Sequence, residues 1–237
     1  MRWLFRQEAG VLIAAAVVAA MFWAFAEIAD EVLEGETDTF DRRVLLALRS
    51  GADPSRPIGP GWLVVAAEEL TALGSASVLT LLTAAVVGGL WLRGTRRTAL
   101  FVFIAVAGGS LVSTGLKLAF GQERPDVVPH LTHFATPSFP SGHAMLATVA
   151  YLTLGALVAE IQPRVRLRVY IIGVAVTTAV LVGATRVYLG VHTPSDVAAG
   201  WVGGAGWAAG CWGAARWLRL RRLARSESGA TPGASGA

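Results

Sequence analysis

The chain has 237 residues, of which 54% are hydrophobic and only 15% charged. A water-soluble domain carries about 25% charged residues, so this composition is wrong for a soluble fold. It also excludes a disordered chain, and a single cysteine excludes a disulfide-stapled miniprotein. The formal net charge is +4, and 19 of the 20 basic residues are arginine; the one lysine is Lys117.

A bilayer core takes about 20 mainly apolar residues per spanning helix. Six stretches meet that demand: residues 11–28, 76–92, 98–116, 143–161, 169–187 and 197–218. The expected fold is an all-α, polytopic membrane helix bundle with six transmembrane helices. It forms one domain over residues 1–225, followed by a Gly/Ala/Ser-rich, disordered cytoplasmic tail at 226–237. Arginine placement orients it. Segments 1–10, 93–97, 162–168 and 216–225 are basic and alternate with acidic or mixed loops. Both termini are therefore expected in the cytoplasm, with the loops after spans one, three and five outside. On this reading the inner side holds 13 basic and 3 acidic residues, and the outer side 7 and 13. The basic pI of about 10.0 reflects topology, and no nucleic-acid partner is expected.

Arg2, Arg6, the first apolar run and Ala24-Phe25-Ala26 have the layout of a signal peptide with a small-residue cleavage site. The run is long for that role, so a retained anchor is expected. Two short helices follow. Residues 39–49 put Phe40, Val44, Leu45 and Leu48 on one face and Asp41, Arg42, Arg43 and Arg49 largely elsewhere. That pattern suits a helix lying on the membrane surface or packed on the bundle. Residues 62–73 form the second, with Glu68 and Glu69 on a solvated face and Gly74 as its C-terminal stop. In span six, Gly200, Gly203, Gly204, Gly206 and Gly210 allow close helix approach, within the bundle or across a homodimer.

The chemistry is concentrated at the predicted outer ends of the spans. The third loop begins Lys117-x6-Arg124-Pro125 and ends Pro140-Ser141-Gly142-His143; the fifth reads Arg186-x5-His192-x3-Asp196. Polar groups at membrane depth are costly and tend to be functional. Ser141 can cap the fourth span and leave the Gly142 and His143 amides as a helix N-terminus suited to an anion. Pro194 suits the first position of the sixth helix. Asp196 then stands in its first turn, where its carboxylate can accept from one His192 nitrogen and leave the other a better nucleophile or base. Lys117, Arg124 and Arg186 match the charge and oxygens of a phosphate. Each piece alone has a plainer use: Lys117 and Arg124 as interfacial anchors, Arg186 as a structural partner of Asp196, Ser141 as a cap.

Together and in order, the three motifs resemble the type 2 phosphatidic acid phosphatase superfamily, whose membrane branch has six spans and whose active site is shared with vanadium haloperoxidases. The resemblance covers residues 117–196 by motif. Thr185 stands where the family usually has serine before the arginine. The resemblance implies a lipid phosphatase working through a phosphohistidine, without metal or other cofactor. His192 would be the nucleophile, Asp196 its orienting partner and His143 the general acid; Lys117, Arg124, Ser141, Gly142 and Arg186 would hold phosphate. The implied substrate is a membrane lipid such as phosphatidylglycerophosphate, phosphatidic acid or a polyprenyl diphosphate, taken at the extracytoplasmic face of the cell membrane. His130 and His133 match no motif and read as loop residues. A transporter would carry ionisable residues near mid-span, which these spans lack; a non-catalytic lipid-binding protein would not need every motif position filled.

Overall fold

The structure, a computed structural model, describes residues 2–51, 53–122 and 137–228. Among the described residues eight helices follow one another: α1 (Arg2–Leu33), α2 (Asp38–Ala47), α3 (Gly61–Ala72), α4 (Ala76–Leu92), α5 (Arg96–Phe120), α6 (Gly142–Glu160), α7 (Val165–Tyr188) and α8 (Pro194–Ser228). Among the described residues there is one isolated β-bridge, Arg49 to Pro57, and no longer strand pairing.

Among the described residues four helices are long and apolar enough to cross a membrane, residues 10–33 of α1 together with α5, α6 and α7. The pair α3 and α4, bent by 44° at the break between them, makes a fifth crossing if read as one span. α8 has 35 residues but is rich in glycine, alanine and, toward its end, arginine. It also runs through residues 226–228, three residues into the stretch expected to be disordered. The exterior is what lipid requires of a bundle. In the most apolar window of α1 only 6% of residues are buried, and Phe22, Trp23, Leu81, Leu111 and Leu118 are exposed. Where hydrocarbon is the solvent, outward apolar side chains cost nothing and the backbone polar groups are satisfied inside each helix.

The interior is held by close backbone approach. A Cβ on Gly200 would lie 2.7 Å from the Ser141 carbonyl oxygen, and one on Gly204 would lie 2.6 Å from that of Met145. Only hydrogen fits there, so α8 lies directly against the first turns of α6. Gly203, Gly206 and Gly213 face Phe25, Met21 and Ala14 of α1. The small residues of α8 are thus taken up by packing within the chain. Trp201 and Trp207 tie α8 to its other neighbours, donating to the carbonyls of Ala179 (3.1 Å) and Ala105 (2.8 Å).

Two local expectations need correction. On α2 the buried positions are Asp41 and Leu45, continued by Arg49 just beyond its end, while Phe40 is 58% exposed. Asp41 turns inward because it has donors waiting there, described below; Arg49 is buried at the other end of that face. Gly74 does not end α3 with a left-handed residue, since its φ is not positive. Instead a Cβ there would lie 2.4 Å from Val182 and 3.2 Å from the His143 carbonyl oxygen. Its smallness lets the α3–α4 corner close onto α7 and the start of α6.

Candidate active site

The site is built where four helix ends meet. α5 ends at Gly121 (φ 59°), and Lys117 lies in its last turn. α6 begins at Gly142, α7 carries Arg186 in its last turn, and α8 begins at Pro194 with Asp196 in its first turn. The amide of Ser141 donates to the Asp196 carbonyl (2.9 Å), joining the starts of α6 and α8. The two helix N-termini, each bearing partial positive charge, therefore lie side by side. The loop before α6 is fixed by an aromatic cluster: Phe139 is fully buried against Phe120 and Phe25, at 5.0 and 5.9 Å between ring centroids. The Ser138 amide donates to the Gln122 carbonyl (2.8 Å).

His192 and Asp196 are buried, at 3% exposure each, and His192 Nδ1 stands 3.1 Å from Asp196 Oδ2. The same carboxylate oxygen accepts from the Ser138 hydroxyl and from the Thr193 amide (3.3 Å). Thr193 Oγ1 in turn accepts from the Asp196 amide (3.2 Å), the reciprocal bond of a helix cap. A proton on Nδ1 is what this acceptor favours, which makes Nε2 the unprotonated ring nitrogen. Ser138 Oγ is also 3.4 Å from Nδ1.

Lys117 Nζ donates to the carbonyls of Pro137 (2.7 Å) and Ser138 (3.3 Å). A Cβ on Gly142 would lie 3.3 Å from Lys117 Cε, so the lysine stem runs against the N-terminus of α6. Arg186 is buried, and its Nη1 donates to Thr71 Oγ1 of α3 (3.3 Å). His143 is half-buried in the first turn of α6. Ser141 does not cap that helix through its side chain. Its bond is made by its amide, and its Oγ is buried with no hydrogen-bond partner among the described residues. Lys117, Ser141, Gly142, His143, Arg186, His192 and Asp196 thus belong to the same cluster of helix ends. Arg124, His130 and His133 lie outside the described residues. No three His, Cys, Asp or Glu side chains among the described residues gather as a metal-holding group.

Two residues beyond the sequence reading take part. Ser138 supports Asp196 across 58 positions of sequence. Asp41, at 5% exposure, accepts from both the amide (3.1 Å) and the hydroxyl of Ser195, whose Oγ stands 2.9 Å from Thr193 Oγ1. A bond chain therefore leads from α2 through Ser195 and Thr193 to Asp196. Burial raises the Asp41 carboxyl above its usual 3.8, and the Asp196 charge adds to this, while the Ser195 donors oppose it. Neither residue has a spacing signal in sequence: Ser138 sits among loop residues, and Asp41 lies 154 positions from its partner.

A membrane helix bundle with a buried histidine–aspartate pair beside a lysine, an arginine and two helix N-termini is the layout of a phosphate-handling enzyme. The sequence profile of the PAP2 superfamily matches residues 97–220, which take in α5 to α7 and most of α8, and the chain belongs to that superfamily of phosphoric ester hydrolases. The phosphatidylglycerophosphatase B of Bacillus subtilis is 34% identical over 142 residues, 59% of this chain and 68% of that one. A lipid A 1-phosphatase of Rhizobium johnstonii is 35% identical over 117 residues, 44% of this chain and 43% of that one. The crystal structure of the transmembrane PAP2-type phosphatidylglycerolphosphate phosphatase from Bacillus subtilis superposes with a TM-score of 0.76 at 26% identity, covering 85% of this chain and 96% of that one.

Proposed function

We propose that the protein hydrolyses a phosphomonoester or diphosphate on a lipid headgroup at the extracytoplasmic face, through a phosphohistidine at His192. The observation that carries this is the buried His192–Asp196 pair, whose single carboxylate oxygen gathers the imidazole, the Ser138 hydroxyl and the Thr193 amide. Such a carboxylate orients the ring, fixes its tautomer and stabilises the charge that develops on it.

Nε2 of His192 attacks phosphorus in line, forming an N–P bond as the P–O bond to the leaving alkoxide breaks. His143 gives its proton to that alkoxide. It then takes a proton from water, whose oxygen attacks phosphorus and releases phosphate and free His192. Lys117, Arg124, Arg186, Ser141 and the Gly142 amide hold the equatorial oxygens, where charge stabilisation is the main task of phosphoryl transfer. The unbonded Ser141 hydroxyl supports that role, because it is a buried donor awaiting an acceptor.

In this reading the chain crosses the bilayer six times, with α8 as the sixth crossing, both termini cytoplasmic and the helix-end cluster outside. The lipid keeps its chains in the bilayer and brings phosphate to headgroup level. Candidate substrates are phosphatidylglycerophosphate, phosphatidic acid and polyprenyl diphosphates. Phosphate release by purified protein against these three lipids tests the assignment. Vanadate, which adopts a trigonal bipyramidal geometry like the transferring phosphoryl group, is expected to inhibit. Absence of release from any lipid, or insensitivity to vanadate, would count against the site as drawn.

A further inference from the structure

Arg49 lies just beyond the C-terminal end of α2 and is 7% exposed. Its Nε and Nη2 are buried without a hydrogen-bond partner among the described residues. The ion pairs among those residues do not involve it. Arginine does not lose its proton at neutral pH, so the charge and its donors call for an acceptor.

The residue is not on a loose surface loop. Its backbone pairs with Pro57 in an antiparallel bridge. The Ile58 amide donates to the Leu48 carbonyl and the Ser50 amide to that of Arg56, both at 2.9 Å. The strap so formed is tied to the last turn of α7 by the Tyr188 hydroxyl, which donates to the Ile58 carbonyl (2.7 Å). Tyr188 interacts electrostatically with Arg49. It stands two residues after Arg186 and four before His192. The other end of the same buried α2 face is bonded, through Asp41, to Ser195 beside Asp196. Arg49 is therefore carried by a strap anchored at both flanks to the third motif, and it comes from this strap instead of from the helix ends proposed to hold the transferred phosphoryl group.

We propose that Arg49 receives a second anionic group of the lipid headgroup. The preferred substrate class then has two phosphates, as a polyprenyl diphosphate or phosphatidylglycerophosphate has, in place of the single phosphate of phosphatidic acid. A planar guanidinium donates to two oxygens of such a group at once. The inference rests on the lipid-phosphatase reading above.

The test measures kcat/KM for wild type, Arg49→Gln and Arg49→Lys on the three lipids in one detergent. The expected result is a wild-type preference for the two-phosphate lipids. In Arg49→Gln the selectivity ratio of two-phosphate over one-phosphate lipid falls about tenfold, the size of one lost charge-assisted hydrogen bond, and mostly through KM. Arg49→Lys keeps the charge and falls between; it carries the test if Arg49→Gln no longer elutes as a folded species. A polyprenyl diphosphate loss without a phosphatidylglycerophosphate loss assigns the second group to a diphosphate, and the converse assigns it to a phosphodiester. An equal loss on all three lipids would make Arg49 structural and overturn the proposal, as would an unchanged ratio or a wild-type preference for phosphatidic acid. Wild type inactive on every lipid would instead defeat the phosphatase reading itself.

Discussion

Asp196 Oδ2 collects three donors in a buried site, and in the proposed mechanism this one atom orients His192. The His192-x3-Asp196 spacing and Pro194 at a helix start are legible in sequence because both are local rules. Ser138 was not legible as a partner, because its hydroxyl reaches Asp196 only once Phe139 has been buried among Phe25 and Phe120. The roles separate by substitution. Asp196→Asn keeps the shape but donates where it should accept, and is expected to lower kcat by about 10⁴-fold, the scale seen when a triad aspartate is so changed. Ser138→Ala removes one of three donors and is expected to lower kcat about tenfold with KM little changed. Steady-state phosphate release checks both. A Ser138→Ala enzyme with wild-type kcat would show that the His192–Thr193 donors suffice.

At the scale of elements, α2 turned out to be a fastener. Apolar periodicity found the helix and its buried Leu45 but missed Asp41 on the same side, because Asp41 is buried by a specific partner on α8, which no periodicity records. Its carboxyl has a raised pKa in the fold, so between the usual aspartate value and the raised one the folded state binds more protons than the unfolded state. Stability from this group is then present at low pH and lost as pH rises through the raised value. Asp41→Asn removes that titration. The unfolding temperature of wild type relative to Asp41→Asn is expected to fall as pH rises from the usual aspartate value through the raised one, read by thermal unfolding in detergent. A difference that is flat or grows with pH would refute the assignment. Asp41→Ala leaves the Ser195 amide and hydroxyl without their acceptor and is expected to lower activity more than Asp41→Asn does.

For the whole molecule, the low charge and long apolar runs already specify a membrane bundle, and the exposed apolar side chains of α1, α4 and α5 agree with it. The division of charge gives the orientation a physical basis, since the predicted inner segments hold 13 of 20 basic residues. Sequence was less informative at α3 and α4. The 44° bend between them depends on Gly74 fitting against Val182 and His143, a contact between segments far apart in the chain. In a variant with Cys211 replaced, cysteine introduced at Glu36 is expected to react with a membrane-impermeant reagent on intact cells, and cysteine at Arg166 only after lysis. The reverse pattern would place the helix-end cluster inside.

The most direct test is a rapid-quench experiment on purified protein with a lipid radiolabelled in its terminal phosphate. Wild type is expected to trap an acid-labile, alkali-stable phosphoprotein that His192→Ala neither forms nor replaces by any turnover. A His192→Ala protein that still releases phosphate at the wild-type rate would contradict the assignment of His192 as nucleophile.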